Sequence, residues 1–95
     1  VAAINNKVVG FCCVQLFISM CYSQNYVELT ELFVKEDYRN HGAATALLMY
    51  IEAYYKDANI GGYQLFTGKK NDIAQRFYEK NGYIKTDEIM YRKKL

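Results

Sequence analysis

The sequence predicts a mixed α/β domain whose sheet is mostly antiparallel, with one parallel βαβ unit at its centre. Three observations carry that expectation. Asn5-Asn6-Lys7 divides two β-rich runs, 1–4 and 8–17, at the spacing of a tight hairpin. A third β-rich run, 26–34, leads through a polar turn into the helical periodicity of residues 42–56. A short apolar run, 63–67, comes next, so strand, helix and strand follow one another and a right-handed crossover sets the two strands parallel.

Each element has its own reason. Asparagine tolerates left-handed backbone, which suits Asn5 and Asn6 to the first turn. Residues 19–25 read as a polar loop. In the third run, Val27 and Leu29 share one parity while Leu32 and Val34 share the other, so simple alternation fails. One extra residue near Thr30-Glu31 repairs the pattern, which is the mark of a β-bulge, and it puts Glu28 and Glu31 on one face. A strand buried on both sides needs no bulge, and the residues alone leave the two open. In the first helix, Ala44, Leu47, Leu48, Ile51 and Tyr55 recur at spacings of three or four and form one apolar stripe. Residues 57–62 read as a turn. Asn71 or Asp72 then caps a second helix that turns Ile73, Ala74, Phe77 and Tyr78 inward and stops at Asn81-Gly82. Residues 83–95 return as one or two strands, giving the order ββ-β-α-β-α-β.

Composition narrows the function. With 95 residues there is room for one domain, and an apolar content of 52% excludes disorder. A net charge of +2 with scattered Lys and Arg argues against nucleic acid, and Arg92-Lys93-Lys94 reads as a solvated strand end. Ten tyrosines suit half-buried faces, where a ring is covered while its hydroxyl stays wet. Cys12, Cys13 and Cys21 are odd in number and lack metal-ligand spacing, so no metal and a reducing, cytoplasmic setting are expected. A catalytic thiol needs a basic partner, and the single His41 is a poor one. No run reaches the ~18 apolar residues of a membrane span, and no signal-peptide pattern is present, so no membrane association is expected. The chain starts at Val1 inside a β-rich run, and a missing N-terminal segment is expected.

The most informative stretch is Arg39-Asn40-His41-Gly42-Ala43-Ala44, between a strand and a helix. Such a turn aims backbone N–H groups and the positive end of a helix dipole at one spot, which suits a phosphate or pyrophosphate. The alternative is an ordinary strand-to-helix corner. Neither the P-loop pattern nor the three-glycine dinucleotide fingerprint is present.

These residues resemble the R/Q-x-x-G-x-G/A motif of the GCN5-related N-acetyltransferases, the GNAT superfamily. Leu32-Phe33-Val34 and Glu36-Asp37-Tyr38-Arg39 resemble the family's approach to that loop, and Ala46-Leu47-Leu48 its following helix. The stretch from Asn71 to Tyr83, with Ala74, Phe77, Tyr78 and Gly82, is similar to the family's N-x-x-A-x-x-F-Y-x-x-x-G-F segment. Two motifs in the right order are far more specific than either alone. Ala44 stands at the motif's last position, which is often Gly.

The resemblance implies a GNAT-like acyl-CoA N-acyltransferase fold, here lacking the first strand and the two helices after it. It implies acetyl-CoA as cosubstrate, with Arg39, Asn40, His41, Gly42, Ala43, Ala44 and Thr45 around its pyrophosphate. The backbone of Leu32, Phe33 and Val34, and the side chain of Asn71, would bind the pantetheine arm. Val34 N–H would polarise the thioester carbonyl, and Tyr78, near the sulfur, would protonate the leaving thiolate. Glu28 and Glu31 are the candidate bases for a primary amine acceptor, their alternative being solvated edge carboxylates. A small-molecule amine is favoured over a protein or peptide amine, and a non-catalytic acyl-CoA-binding module is the reading from another class. The absent helices would leave one face of the sheet uncovered unless a partner subunit, as in a homodimer, covers it.

Overall fold

The structure is a computed structural model that describes residues 1–18, 24–40 and 42–94. Strands β1 (Ala2–Ile4) and β2 (Lys7–Phe17) form the expected hairpin. Asn5 and Asn6 take left-handed φ values of 51° and 64° at its turn, the conformation two-residue hairpin loops require. Strand β3 (Asn25–Val34) pairs antiparallel with β2, and β4 (Ile60–Leu65) pairs parallel with β3, so the sheet order is β1-β2-β3-β4.

The parity break in β3 is a bulge. Cys13 faces Glu31 and Val14 faces Leu29, which leaves Thr30 as the extra residue. Its hydroxyl donates to the Cys13 carbonyl at 3.2 Å and pins the irregularity. The two-sided strand is thereby excluded: Val27, Leu29 and Val34 are buried, whereas Thr30, Glu31 and Phe33 are exposed.

Helix α1 (Ala43–Tyr54) buries Leu47, Leu48 and Ile51. With Val9, Val27, Leu29 and Val34 of the sheet they make the core. Tyr63, opposite Val27 on β4, donates its hydroxyl to the Glu52 carbonyl of α1 at 3.4 Å, which places α1 on the Val27 face. The other face, where Phe11 meets Phe33 at 5.7 Å and Phe17 stacks on Tyr26 at 4.9 Å, has no helix over it among the described residues.

Helix α2 (Asp72–Lys80) begins at Asn71, whose side-chain oxygen accepts from Ala74 N–H at 3.1 Å. It ends in a paired closure: Tyr83 N–H donates to Tyr78 C=O, Gly82 N–H donates to Glu79 C=O, and Gly82 sits at φ 91°. That is a Schellman end, and the left-handed position is why glycine stands there.

Three expectations are corrected. Strand β4 spans Ile60–Leu65 rather than 63–67, because Gly61-Gly62, which reads as a turn, lies within it. A Cβ at Gly61 would come within 2.8 Å of Gln24 Oε1, so glycine here serves close approach. Ile73 is 81% exposed. The inward stripe of α2 is narrow, running along half-buried Ala74, Phe77 and Tyr78, with Ile73 on its outer flank. Residues 83–94 form no strand. A strand needs a ladder partner, and here residues 83–86 and 88–90 stand across a cavity of about 850 Å³ from β4. Tyr83, at the start of this segment, has a buried hydroxyl without a hydrogen-bond partner among the described residues. Burial, with Glu52, Tyr63, Tyr78 and Cys12 nearby, pushes its pKa up to about 12.

Candidate active site

The pairing of β3 with β4 ends at Leu29 opposite Leu65, one residue before the bulge. Beyond that point the strands part and leave a cleft of about 380 Å³. One wall is residues 29–33 of β3, the other is residues 65–67, and Asn71, Ala74 and Tyr78 close the side nearest α2. Lys35 N–H donates to Val9 C=O at 2.7 Å, toward β2. Backbone groups alternate along a strand, so the N–H groups of Leu32 and Val34 point the other way, to where β4 has parted. The cleft therefore offers strand-like donors to an extended polar chain.

At the upper end of β3 a short 3-10 turn (Glu36–Tyr38) leads to Arg39 and the start of α1. Arg39 Nε donates to the Val34 carbonyl at 2.9 Å, and its guanidinium lies 6.0 Å from the Phe33 ring. This ties the arginine to the strand end while its terminal nitrogens stay at the surface. Asn40 and Gly42 both take positive φ, 64° and 82°, and Gly42 is the N-cap of α1. No side chain caps that end and no acidic residue lies in its first turn. The first N–H groups of α1, at Ala43, Ala44 and Thr45, are thus left for an anion. His41 lies outside the described residues, as does most of the polar loop expected at 19–25.

The bulge sets Glu28 and Glu31 on the uncovered face, opposite Gln15 and Cys13 of β2. The aromatic pairs Phe11/Phe33 and Phe17/Tyr26 flank this polar row on either side. Glu31 is exposed and lines the cleft. Glu28 is half-buried, one step below the cleft, and accepts from Gln64 Nε2 at 3.0 Å. Among the described residues, neither carboxylate bonds to a Lys or Arg.

Tyr78 is half-buried at the cleft, its ring edge-on to Phe77 at 5.3 Å and to Tyr83 at 5.8 Å. Burial raises its pKa above the ordinary tyrosine value, with Cys12 adding to the rise, so the hydroxyl keeps its proton through neutral pH. Burial raises the Cys12 thiol as well, with Cys13 adding to it, and this thiol remains a protonated packing group. Asn71 spends its side-chain oxygen on the helix cap, which leaves the amide N–H₂ for the cleft. No cluster of three His, Cys, Asp or Glu among the described residues is placed to hold a metal, and no described helix is long and apolar enough to cross a membrane.

The structure thus gathers Glu31, Leu32, Phe33, Asn71 and Tyr78 around one cleft. It sets Val34 and Arg39 at the cleft's end and residues 42–45 on the helix terminus. Glu28 lies outside the cleft lining, on the open face. Sequence reasoning passed over Phe66, Thr67 and Gln64. Gln64 carries a signal only once the parallel register puts it opposite Glu28.

Comparison with known proteins accords with this geometry. The model of the acetyltransferase (GNAT) family matches residues 1–83. An uncharacterized N-acetyltransferase of Methanocaldococcus jannaschii is 33% identical over 90 residues, covering 94% of this chain and 40% of that protein. An integron cassette protein from the mobile metagenome of V. cholerae superposes with a TM-score of 0.88 at 19% identity, over 98% of this chain and 57% of that one. An aminoglycoside acetyltransferase from an uncultured soil metagenomic sample, solved with sisomicin, gives 0.88 at 15% identity, over 98% and 62%. An aminoglycoside N-acetyltransferase solved with CoA gives 0.85 at 21% identity, over 99% and 72%. At these identities the structures establish the fold. The chain spans less than half the length of the curated relative and about three fifths of the first two structures.

Proposed function

The chain belongs to the acetyltransferase (GNAT) family, and from that premise we propose that it transfers the acetyl group of acetyl-CoA to a primary amine, a small-molecule amine in the first place. The observation that carries this reading is the cleft opened between β3 and β4 at the Thr30 bulge, on the strand whose end Arg39 binds just before the uncapped start of α1. An extended arm ending in a pyrophosphate matches both parts. The amides of Ala43, Ala44 and Thr45, with Arg39, receive the phosphates. Leu32 and Val34 N–H and the Asn71 amide bind the arm, and Val34 N–H meets the thioester carbonyl, where an oxyanion develops.

The acceptor approaches from the uncovered face. An alkylammonium has a pKa near 10.4 and no free lone pair at neutral pH, so a base must take its proton before attack. Glu28 is that base in this reading, and Glu31 holds the cation beside the cleft. Direct attack on the carbonyl forms the C–N bond, the C–S bond breaks with the electron pair on sulfur, and the second proton lost by the nitrogen passes through solvent to that sulfur to give the free thiol. Tyr78 stabilises that sulfur by donating a hydrogen bond. Full proton transfer from it runs uphill, since a thiol at about 8.5 is a stronger acid than a tyrosine at about 10, and burial raises Tyr78 further.

The reading is tested by free-thiol release from acetyl-CoA with ethanolamine, putrescine and a lysine tripeptide as acceptors. Turnover with an amine supports it. Tight acetyl-CoA binding with no release for any amine would leave a binding module instead. In the same assay Tyr78→Phe is expected to lower kcat by roughly 10- to 100-fold, within the range of a lost charge-stabilising donor, with acetyl-CoA affinity nearly unchanged. An unaltered kcat removes Tyr78 from the mechanism.

A further inference from the structure

We infer that Gln64 is a positioning residue: its side-chain amide orients Glu28 for proton abstraction, an inference that rests on the reading of Glu28 as base. Gln64 and Glu28 are opposite one another in the parallel register, on the uncovered face, one step before the strands part at Leu29 and Leu65. Gln64 Nε2 donates to Glu28 Oε1 at 3.0 Å. A half-buried Glu side chain has three rotatable bonds, and one directed bond to a neighbouring strand selects among its rotamers. The second carboxylate oxygen is left out of that bond, on a residue of the uncovered face one step before the strands part.

The chemistry of the partner is informative. A Lys or Arg at 64 would also hold the carboxylate, but its charge would draw down the carboxylate's affinity for a proton and compete with the cationic acceptor. A neutral amide fixes geometry without neutralising the group. Gln15 lies opposite Glu28 from the β2 side, so the row across the three strands reads Gln15, Glu28, Gln64, with no cation in it. Among the described residues Glu31 has no such support, and of the two carboxylates it is the one below the cleft whose geometry is set by a side chain of a neighbouring strand.

The experiment is a double-mutant cycle of Gln64→Met and Glu28→Gln in the full chain, read as free-thiol release from acetyl-CoA with the same three amines. Methionine keeps the length of the side chain and removes the donor. Gln64→Met is expected to lower kcat roughly 10-fold, as misplacement of a reacting group does, with the KM for acetyl-CoA unchanged and no further loss in the Glu28→Gln background. An undiminished rate in Gln64→Met, or the same fold-loss in both backgrounds, overturns the inference while leaving Glu28 as base. A wild-type rate in Glu28→Gln overturns the base assignment itself and Gln64's role with it. The contact has its own readout: the Gln64 side-chain amide resonances of ¹⁵N-labelled protein are expected to move in Glu28→Ala, and unchanged resonances overturn the inference whatever the rates.

Discussion

Glu28→Gln is expected to lower kcat by about 100-fold or more at neutral pH, the range general-base catalysis commonly supplies. The substitution is nearly isosteric, and the new amide oxygen still accepts from Gln64, so the loss is chemical and not structural. What disappears is a group that takes a proton. A primary amine with a pKa near 10.4 is neutral in only about one molecule per few thousand at pH 7. The variant depends on that fraction, so its deficit should shrink steadily as pH rises toward the acceptor's own pKa. A pH series of kcat for both proteins checks this. Glu31→Gln serves as the comparison: because Glu31 is exposed at the cleft, its loss acts mainly through acceptor KM. A deficit in Glu28→Gln that stays constant with pH would mean that position 28 matters for something other than taking the proton.

Much of this arrangement was legible in the sequence, for reasons that can be named. The break in β3 could be read because a period of two is strict: a parity break among Val27, Leu29, Leu32 and Val34 has only two physical repairs, a bulge or a strand buried on both sides, and the pairing with β2 decides for the bulge, with Thr30 the extra residue. The open start of α1 could be read because Gly42 and two alanines supply no capping side chain. What could not be read depends on partners distant in the chain. Gly61-Gly62 has the local chemistry of a turn, yet the strand it belongs to is defined by its pairing with Tyr26 and Val27. Residues 83–94 have strand-like composition but stand apart from β4, and no local pattern reports that separation. The Gln64–Glu28 bond spans 36 positions and exists only through the parallel register. In the proposed reading the family motifs point to the donor, whereas the acceptor is set by the uncovered face, where Glu28 and Glu31 lie between two aromatic pairs.

Leu48→Ala is expected to destabilise the domain by about 2–5 kcal/mol, as truncations of buried leucines do. Leu48 is 2% exposed and sits on α1 against the sheet face carrying Val27 and Leu29. Seven buried hydrophobic residues make up the core of the described chain, so few neighbours can move in to fill the space. Domains of this size have total stabilities of about 5–15 kcal/mol, and each kcal/mol corresponds to roughly 4–8 °C in Tm. A fall of about 10 °C or more in a circular-dichroism melt is therefore the expected reading. Met49, the next residue on the same helix, is 63% exposed and provides the control: Met49→Ala should leave Tm nearly unchanged, because alanine is a strong helix former and no cavity opens. The consequence extends to the proposed site, because α1 could present its first N–H groups to phosphates there only while its buried stripe holds it to the sheet. Leu48→Ala should weaken acetyl-CoA binding as the temperature approaches its lowered Tm and spare it well below. Equal melting of the two variants would show that α1 is not held to the sheet through Leu48, and the geometry of the phosphate end would then need another anchor.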